Sequence, residues 1–335
     1  MKIMRTTKIT ISKDARTRWE ASYSIIGNHS GIQICTWTKK ALRGKGVCYK
    51  QKFYGIDTHR CAQISPALAW CNENCIFCWR PNEWMENIKM KRNEVDEPAE
   101  IISGVLEKRK ILISGLKGAH DAQKEKWEES FKFFPSHWAI SLSGEPTLYP
   151  KLAELIKELR NHKEVKSIFL VSNGQLPSAI LRLVKKDALP TQLYISVNAC
   201  NKKMFEKINR PKYCDGWKRL NRTISLLPKL NCNTVIRFTI IKGQNDSEKH
   251  LKKFARIFEK SRADFIEIKG YMFLGDSRKR LVFENMPTHE HVKEYSQRII
   301  KMLPNYFIKD EDFSSRIVLL KRNKINKMMS LGCVS

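Results

Sequence analysis

Between residues 64 and 270 the chain alternates short apolar runs with segments of helical period, and this alternation constrains the fold more than any other feature. The strand-like runs fall at 67–71, 137–144, 167–174, 192–199, 234–241 and 264–270. Helical patterns occupy 98–115, 120–133, 151–162, 177–187, 201–209, 215–228 and 247–261. A strand, a helix and a second strand in succession place the two strands side by side and parallel. The reading is therefore an α/β fold, and six such strands suggest an open or partial barrel. A helix near 287–303 and two strand-like runs, 305–310 and 315–320, close the pattern. In parallel α/β folds the chemistry gathers at the C-terminal ends of the strands, so polar motifs there are the first candidates.

The segment before this pattern reads poorly as regular structure. Residues 1–62 are expected to be a partly looped extension, 63–320 the main domain and 321–335 a basic tail. No run of about 20 apolar residues is present, so no membrane span is expected, and the N-terminus lacks a signal peptide's apolar core. Lys and Arg number 62 against 34 Asp and Glu, a net charge of +28. A surface this basic attracts polyanions, and nucleic acid is the expected partner. The alternative is a thermophile's Lys-rich surface, which ordinarily carries matching Glu. The expected location is cytoplasmic, where the chain's ten cysteines stay reduced and metal binding explains them better than disulfides.

Cys71, Cys75 and Cys78 form a C-x3-C-x2-C loop after the first strand-like run. Three thiolates on one tight loop can hold three irons of a cubane cluster and leave the fourth open. A zinc site would want a fourth ligand nearby, and none follows at suitable spacing. The triplet, with Phe77 before its last cysteine, resembles the radical S-adenosylmethionine superfamily. Ser143-Gly144-Glu145-Pro146 looks like that superfamily's Gly-Gly-Glu-Pro segment, with Ser143 in place of a glycine. The resemblance implies a 4Fe-4S cluster on the three cysteines, S-adenosylmethionine on its open iron, and Gly144 and Glu145 at the methionine amine. Asn173, Ser196 and Asn198 end the third and fourth strand-like runs, where polar groups can bond a ribose or carboxylate. Each could equally be a helix cap.

Cys35, Cys48 and Cys61 are spaced 13 and 13 residues apart, which matches no local zinc motif. Three thiols in one short extension suggest a second cluster that orders it. Cys35, Cys48-Tyr49-Lys50 and Cys61, with the triplet ten residues on, look like the tRNA 4-demethylwyosine synthase family. Cys78-Trp79-Arg80-Pro81, Gly144 to Pro150, Leu193 to Ser196, Arg210-Pro211 with Trp217, Ile268 to Met272, Asn285-Met286-Pro287 and Ser315 to Leu320 extend the likeness over residues 35–320.

The resemblance implies a partial (β/α)6 barrel with an N-terminal cysteine-bearing extension, of the shorter archaeal type without a flavodoxin-like domain. It implies two 4Fe-4S clusters and S-adenosylmethionine as cofactors. The substrate is phenylalanine tRNA carrying N1-methylguanosine beside the anticodon. A 5′-deoxyadenosyl radical takes hydrogen from the N-methyl group, and pyruvate donates two carbons to the new ring. Lys50 matches the family's lysine that forms a Schiff base with pyruvate, which suits an amine whose pKa is lowered by burial or a neighbouring cation. An external one-electron donor of flavodoxin or ferredoxin type is also implied, and a monomer is the expected state. Arg80, Arg210, Lys212, Arg278, Lys279 and Arg280 are candidates for RNA phosphates, and Trp79 for a base. Two other readings remain: a radical methylthiotransferase or methyltransferase acting on RNA, and a non-catalytic zinc RNA-binding protein. Cys200, Cys214, Cys232 and Cys333 read as ordinary thiols.

Overall fold

The protein is described by a computed structural model covering residues 8–86 and 88–323. Ten strands make one open sheet. At one edge, β1 (Ser24–Ile26) and β2 (Ser30–Gln33) pair antiparallel, and β2 pairs antiparallel with the next strand. Six parallel strands follow: β3 (Cys61–Ser65), β4 (His137–Ile140), β5 (Ser167–Ser172), β6 (Gln192–Ser196), β7 (Asn233–Ile240) and β8 (Phe265–Gly270). At the far edge β9 (Tyr306–Asp312) and β10 (Ile317–Arg322) are antiparallel, with β10 next to β8.

Eleven helices are described: α1 (Lys13–Glu20), α2 (Thr36–Leu42), α3 (Tyr49–Tyr54), α4 (Pro98–Ser114), α5 (Lys124–Lys132), α6 (Leu152–Arg160), α7 (Pro177–Lys185), α8 (Lys202–Ile208), α9 (Gly216–Leu226), α10 (Glu248–Ser261) and α11 (His289–Ile300). Their boundaries follow local chemistry. Pro98 opens α4 at the position where a missing N–H costs nothing, and the Glu100 carboxylate accepts from the Glu97 N–H at 2.8 Å. Along α10, Leu251, Phe254, Ala255 and Phe258 recur at helical spacing and are buried, so one stripe faces the sheet.

Side chains alternate between the two faces of each strand, and the faces differ in kind. Leu193, Ile195, Ile236, Phe238, Ile266 and Ile268 belong to the main core with Leu251, Phe254 and Phe258 of α10. Their neighbours Phe169, Tyr194 and Val235 join Ile56 in a separate apolar cluster. On that second face Arg237 pairs in register with Glu267, and Thr239 with Lys269. Helix α3 packs there, with Tyr49 and Phe53 against Ile317 and Leu319. A polar inner face with a short helix laid on it is where a site can form.

Four expectations need correction. Residues 67–71 are a turn; the first parallel strand is β3, six residues earlier. Apolar character there reflects burial behind the cysteine loop rather than strand pairing. The N-terminal extension is regular structure, with three helices and two strands, because its apolar side chains Ile25, Ile26, Ile32 and Trp19 join the main core. Cys61 begins β3, so the second cysteine set lies toward the opposite end of the sheet from the triplet. Arg80 is buried and does not serve as an open phosphate contact. The tail expected from 321 overlaps β10, which runs to Arg322; residues 324–335, with Cys333, lie outside the described residues.

Candidate active site

The cysteine triplet sits on a loop held from three sides. From the sheet, the Glu145 N–H donates to the Trp70 carbonyl at 2.7 Å and the Ser65 hydroxyl to the Ser143 carbonyl at 2.6 Å. From the end of α8, the carbonyls of Asn209 and Ile208 accept from the N–H groups of Asn74 (3.1 Å) and Ile76 (2.9 Å). From the segment after β8, the Arg280 side chain donates to the carbonyls of Ile76 (3.3 Å) and Cys78. Arg280, read from sequence as an RNA contact, thus fixes the loop. Gly144 has φ +67°, and a Cβ there would lie 1.8 Å from the Ala67 carbonyl oxygen and 2.6 Å from that of Trp70. Only glycine allows this approach.

Of the expected cofactor residues, Gly144, Glu145 and Asn173 border the loop, while Ser196 and Asn198 lie at the end of β6, and several side chains are already engaged. The Glu145 carboxylate accepts from the hydroxyls of Thr147 (2.5 Å) and Ser172 (2.8 Å) and from the N–H groups of Thr147 (3.0 Å) and Asn173 (2.8 Å). It ties two strand ends together. Asn173 donates to the Asn72 side chain inside the triplet loop at 2.6 Å. The Asn198 side-chain oxygen accepts from the Thr239 N–H at 2.9 Å, joining the ends of β6 and β7, and Ser196 closes β6 beside Arg237.

A buried polar atom without a partner costs roughly 1–3 kcal/mol. Around this loop the Ser143 hydroxyl, the Asn72 amide nitrogen and the Gln175 and Asn209 amide oxygens are all buried and unpartnered. Such a set suits a polar ligand such as S-adenosylmethionine. Burial pushes the thiols of Cys71, Cys75 and Cys78 above their usual range, so thiolates form there only with metal to offset the charge. Among the described residues no three His, Cys, Asp or Glu side chains converge on a single ion. Three thiols from one tight loop suit three irons of a cubane. The donor set fits a cluster.

The second cysteine set also comes together, each member at the start of an element. Cys35 caps α2 and accepts from the Thr38 N–H at 3.3 Å; Cys48 precedes α3; Cys61 begins β3. Thr58 staples the three segments. Its hydroxyl accepts from the Cys48 N–H at 3.1 Å and donates to Gln51 at 2.8 Å, and its carbonyl accepts from the Thr38 hydroxyl at 3.2 Å. Cys35, Cys48 and Lys50 all act on the Cys61 thiol, whose pKa burial pushes up to about 12. The nearby Arg109 guanidinium, buried and bonded to the His59 carbonyl at 2.8 Å, favours its thiolate.

Lys50 projects from α3 onto the inner sheet face. It is buried, with its Nζ 4.1 Å from the centre of the Phe169 ring and 4.7 Å from that of Tyr194. Burial first, then Arg237, lowers its pKa to about 8. Its neighbours on α3 are anchored by one carboxylate. Glu267 Oε2 accepts from the Tyr49 hydroxyl at 3.2 Å, and Oε1 from that of Tyr54 at 2.9 Å. Arg237 donates to Glu267 at 2.9 and 3.1 Å and to Tyr49 at 2.9 Å. Glu267→Leu would strand Arg237 and both tyrosines. The expected cost is about 3–5 kcal/mol, read as a large fall in Tm, with Glu267→Gln losing less because it keeps an acceptor. Sequence reading missed Glu267, Tyr54, Thr58 and Arg109. The one available signal was strand alternation, which places Glu267 and Lys269 on the same face.

A family model for the radical S-adenosylmethionine superfamily matches residues 66–255, and one for wyosine base formation matches 260–322. The S-adenosyl-L-methionine-dependent tRNA 4-demethylwyosine synthase of Pyrococcus horikoshii is 43% identical over 91% of this chain and 87% of that protein. The chain belongs to the tRNA 4-demethylwyosine synthase family. Two solved structures bear this family out in three dimensions. TYW1 with a lysine–pyruvate adduct bound is 34% identical, with a TM-score of 0.80 over 93% of this chain and 97% of that one. Archaeal TYW1 is 32% identical, with a TM-score of 0.73 over the same shares. This family member is a radical S-adenosylmethionine enzyme, and none of its described helices is long and apolar enough to cross a membrane.

Proposed function

We propose that the chain is an S-adenosylmethionine-dependent tRNA 4-demethylwyosine synthase that joins two carbons of pyruvate to N1-methylguanosine beside the anticodon of phenylalanine tRNA. The observation that carries this reading is Lys50: an amine of lowered pKa, buried on the inner sheet face, with Cys48 and Cys61 beside it. The family's solved structure with a lysine–pyruvate adduct supports the same residue type in that role.

Cys71, Cys75 and Cys78 would hold one 4Fe-4S cluster, and Cys35, Cys48 and Cys61 a second. When bound, the first cluster and S-adenosylmethionine supply a 5′-deoxyadenosyl radical. This chain's residues do the rest. The neutral Lys50 amine attacks the pyruvate ketone, water leaves, and an imine ties the donor to α3. Phe169 and Tyr194 wall the amine from water, and the Glu267 anchor fixes the helix that carries it. The loops bearing Gly144, Glu145, Asn173, Ser196 and Asn198 border the S-adenosylmethionine site. A flavodoxin- or ferredoxin-type protein would supply the electron, and the proposed setting is the cytoplasm.

The deciding experiment is mass spectrometry of methylguanosine-containing tRNA after reaction of the anaerobically reconstituted enzyme with carbon-labelled pyruvate. Label from two carbons should enter the tRNA base. Equal modification of the tRNA without pyruvate would reject this reading in favour of a radical methyltransferase or methylthiotransferase.

A further inference from the structure

Beside the triplet loop lies an apolar surface that the chemistry above does not use. Trp79, directly after Cys78, is 46% exposed. The segment after β8 packs against its backbone: the Asp276 N–H donates to the Trp79 carbonyl at 3.1 Å, and a Cβ on Gly275 would stand 2.2 Å from that oxygen. Leu274 precedes Gly275, and Val282 and Phe283 follow in the same segment, where the Phe283 ring meets Phe273; the three are 42, 58 and 61% exposed. Phe283 stands edge-on to Phe273 at 6.0 Å, which holds its ring upright. Four large apolar side chains left in water near a buried reaction site signal a partner.

The charges around the rim identify that partner. Arg278 is exposed and stacks on Phe273 at 5.5 Å. Lys242 is exposed and pairs its backbone with Asn285 in the same segment, at 2.9 Å in both directions. Two of the carboxylates there are occupied, Asp276 by Arg18 and Lys279, and Glu83 by Arg280; Glu284 is exposed. Rings beside exposed cations suit unpaired nucleotides, whose bases stack on the rings while phosphates meet the cations. An acidic redox protein would use the cations and leave the rings idle, since such encounter surfaces are small.

We infer that Trp79 and Phe283, flanked by the apolar side chains of Leu274 and Val282, form a stacking rim for the unpaired anticodon-loop nucleotides flanking the target base, with Arg278 and Lys242 on their phosphates. This deepens the proposed function and rests on it. The rim borders the triplet loop, so nucleotides stacked there would hold the neighbouring base at the mouth of the radical site.

The test measures binding of an anticodon stem-loop RNA and of a fully paired RNA duplex to the full-length, cluster-reconstituted protein. Phe283→Ala should weaken stem-loop binding by roughly 5- to 100-fold, the loss of one stacked base, and leave duplex binding nearly unchanged. Phe283→Tyr should restore it, which a merely structural defect would not allow. Arg278→Gln should weaken both RNAs alike and lower the salt slope by about one. Stem-loop binding by Phe283→Ala equal to wild type would overturn the rim and leave the proposed function standing. Wild-type protein that binds neither RNA would reject the proposed function itself. Slower reduction by flavodoxin in Phe283→Ala at unchanged RNA affinity would reassign the surface to the electron donor and overturn the inference.

Discussion

Replacing Lys50 with alanine should abolish base formation while leaving S-adenosylmethionine cleavage in place. Borohydride added to wild-type protein and pyruvate should fix one reduced pyruvate on the peptide containing Lys50; Lys50→Ala should trap none. Removing a group that makes a covalent bond to substrate should lower kcat/KM on the order of a thousandfold or more. Lys50→Arg separates chemistry from charge, because it keeps a cation over the Phe169 and Tyr194 rings but cannot form the imine. It should be as inactive as alanine. Substantial turnover by Lys50→Arg would show that the position needs only a positive charge. Trapping at Lys52 instead would move the role two residues along; Lys52 is half-exposed and already paired with Asp310 at 2.8 Å, a poor setting for a nucleophile.

The contrast between Lys50 and Lys52 also shows what sequence could and could not reveal. Alternation of strands and helices was legible from residue 137 onward, because each strand is an apolar run bounded by turn residues and each helix buries one stripe. It failed at 67–71, where apolar residues pack behind a loop and period gives no way to tell a buried turn from a strand. It failed again before residue 60, where α2 and α3 are only one or two turns long and their order comes from contacts far along the chain, such as Tyr49 and Tyr54 with Glu267. The cysteines were legible as a set because spacing is local. What makes Lys50 special was not, because burial by Phe169 and Tyr194 and the neighbouring Arg237 are supplied by three different strands. The same holds for Glu145: its sequence motif suggests a ligand, but Ser172 and Asn173, 27 and 28 residues away, turn its carboxylate into a tie between loops.

Loss of either cysteine set should halve the iron, yet the two losses should disable different steps. Reconstituted wild-type protein should hold about eight irons if both clusters are 4Fe-4S. Cys75→Ala should hold about four and make no methionine from S-adenosylmethionine. Cys48→Ala should also hold about four, but should still cleave S-adenosylmethionine and fail only in forming the new ring. Cys48 is the cleaner choice within its set. The Cys35 sulfur accepts a helix-capping hydrogen bond from Thr38, so its removal would also loosen α2, whereas the Lys50 N–H only faces the Cys48 sulfur without closing a cap bond. Thr58 would still hold the Cys48 backbone through its hydroxyl, so α3 and Lys50 should stay in place and borohydride trapping of pyruvate should persist. Iron content, methionine release and trapping then give three independent readouts on one variant. Full iron in Cys48→Ala would remove the second cluster from the account. Halved iron with loss of pyruvate trapping would mean that the cluster, rather than the protein fold alone, presents the ketone to Lys50.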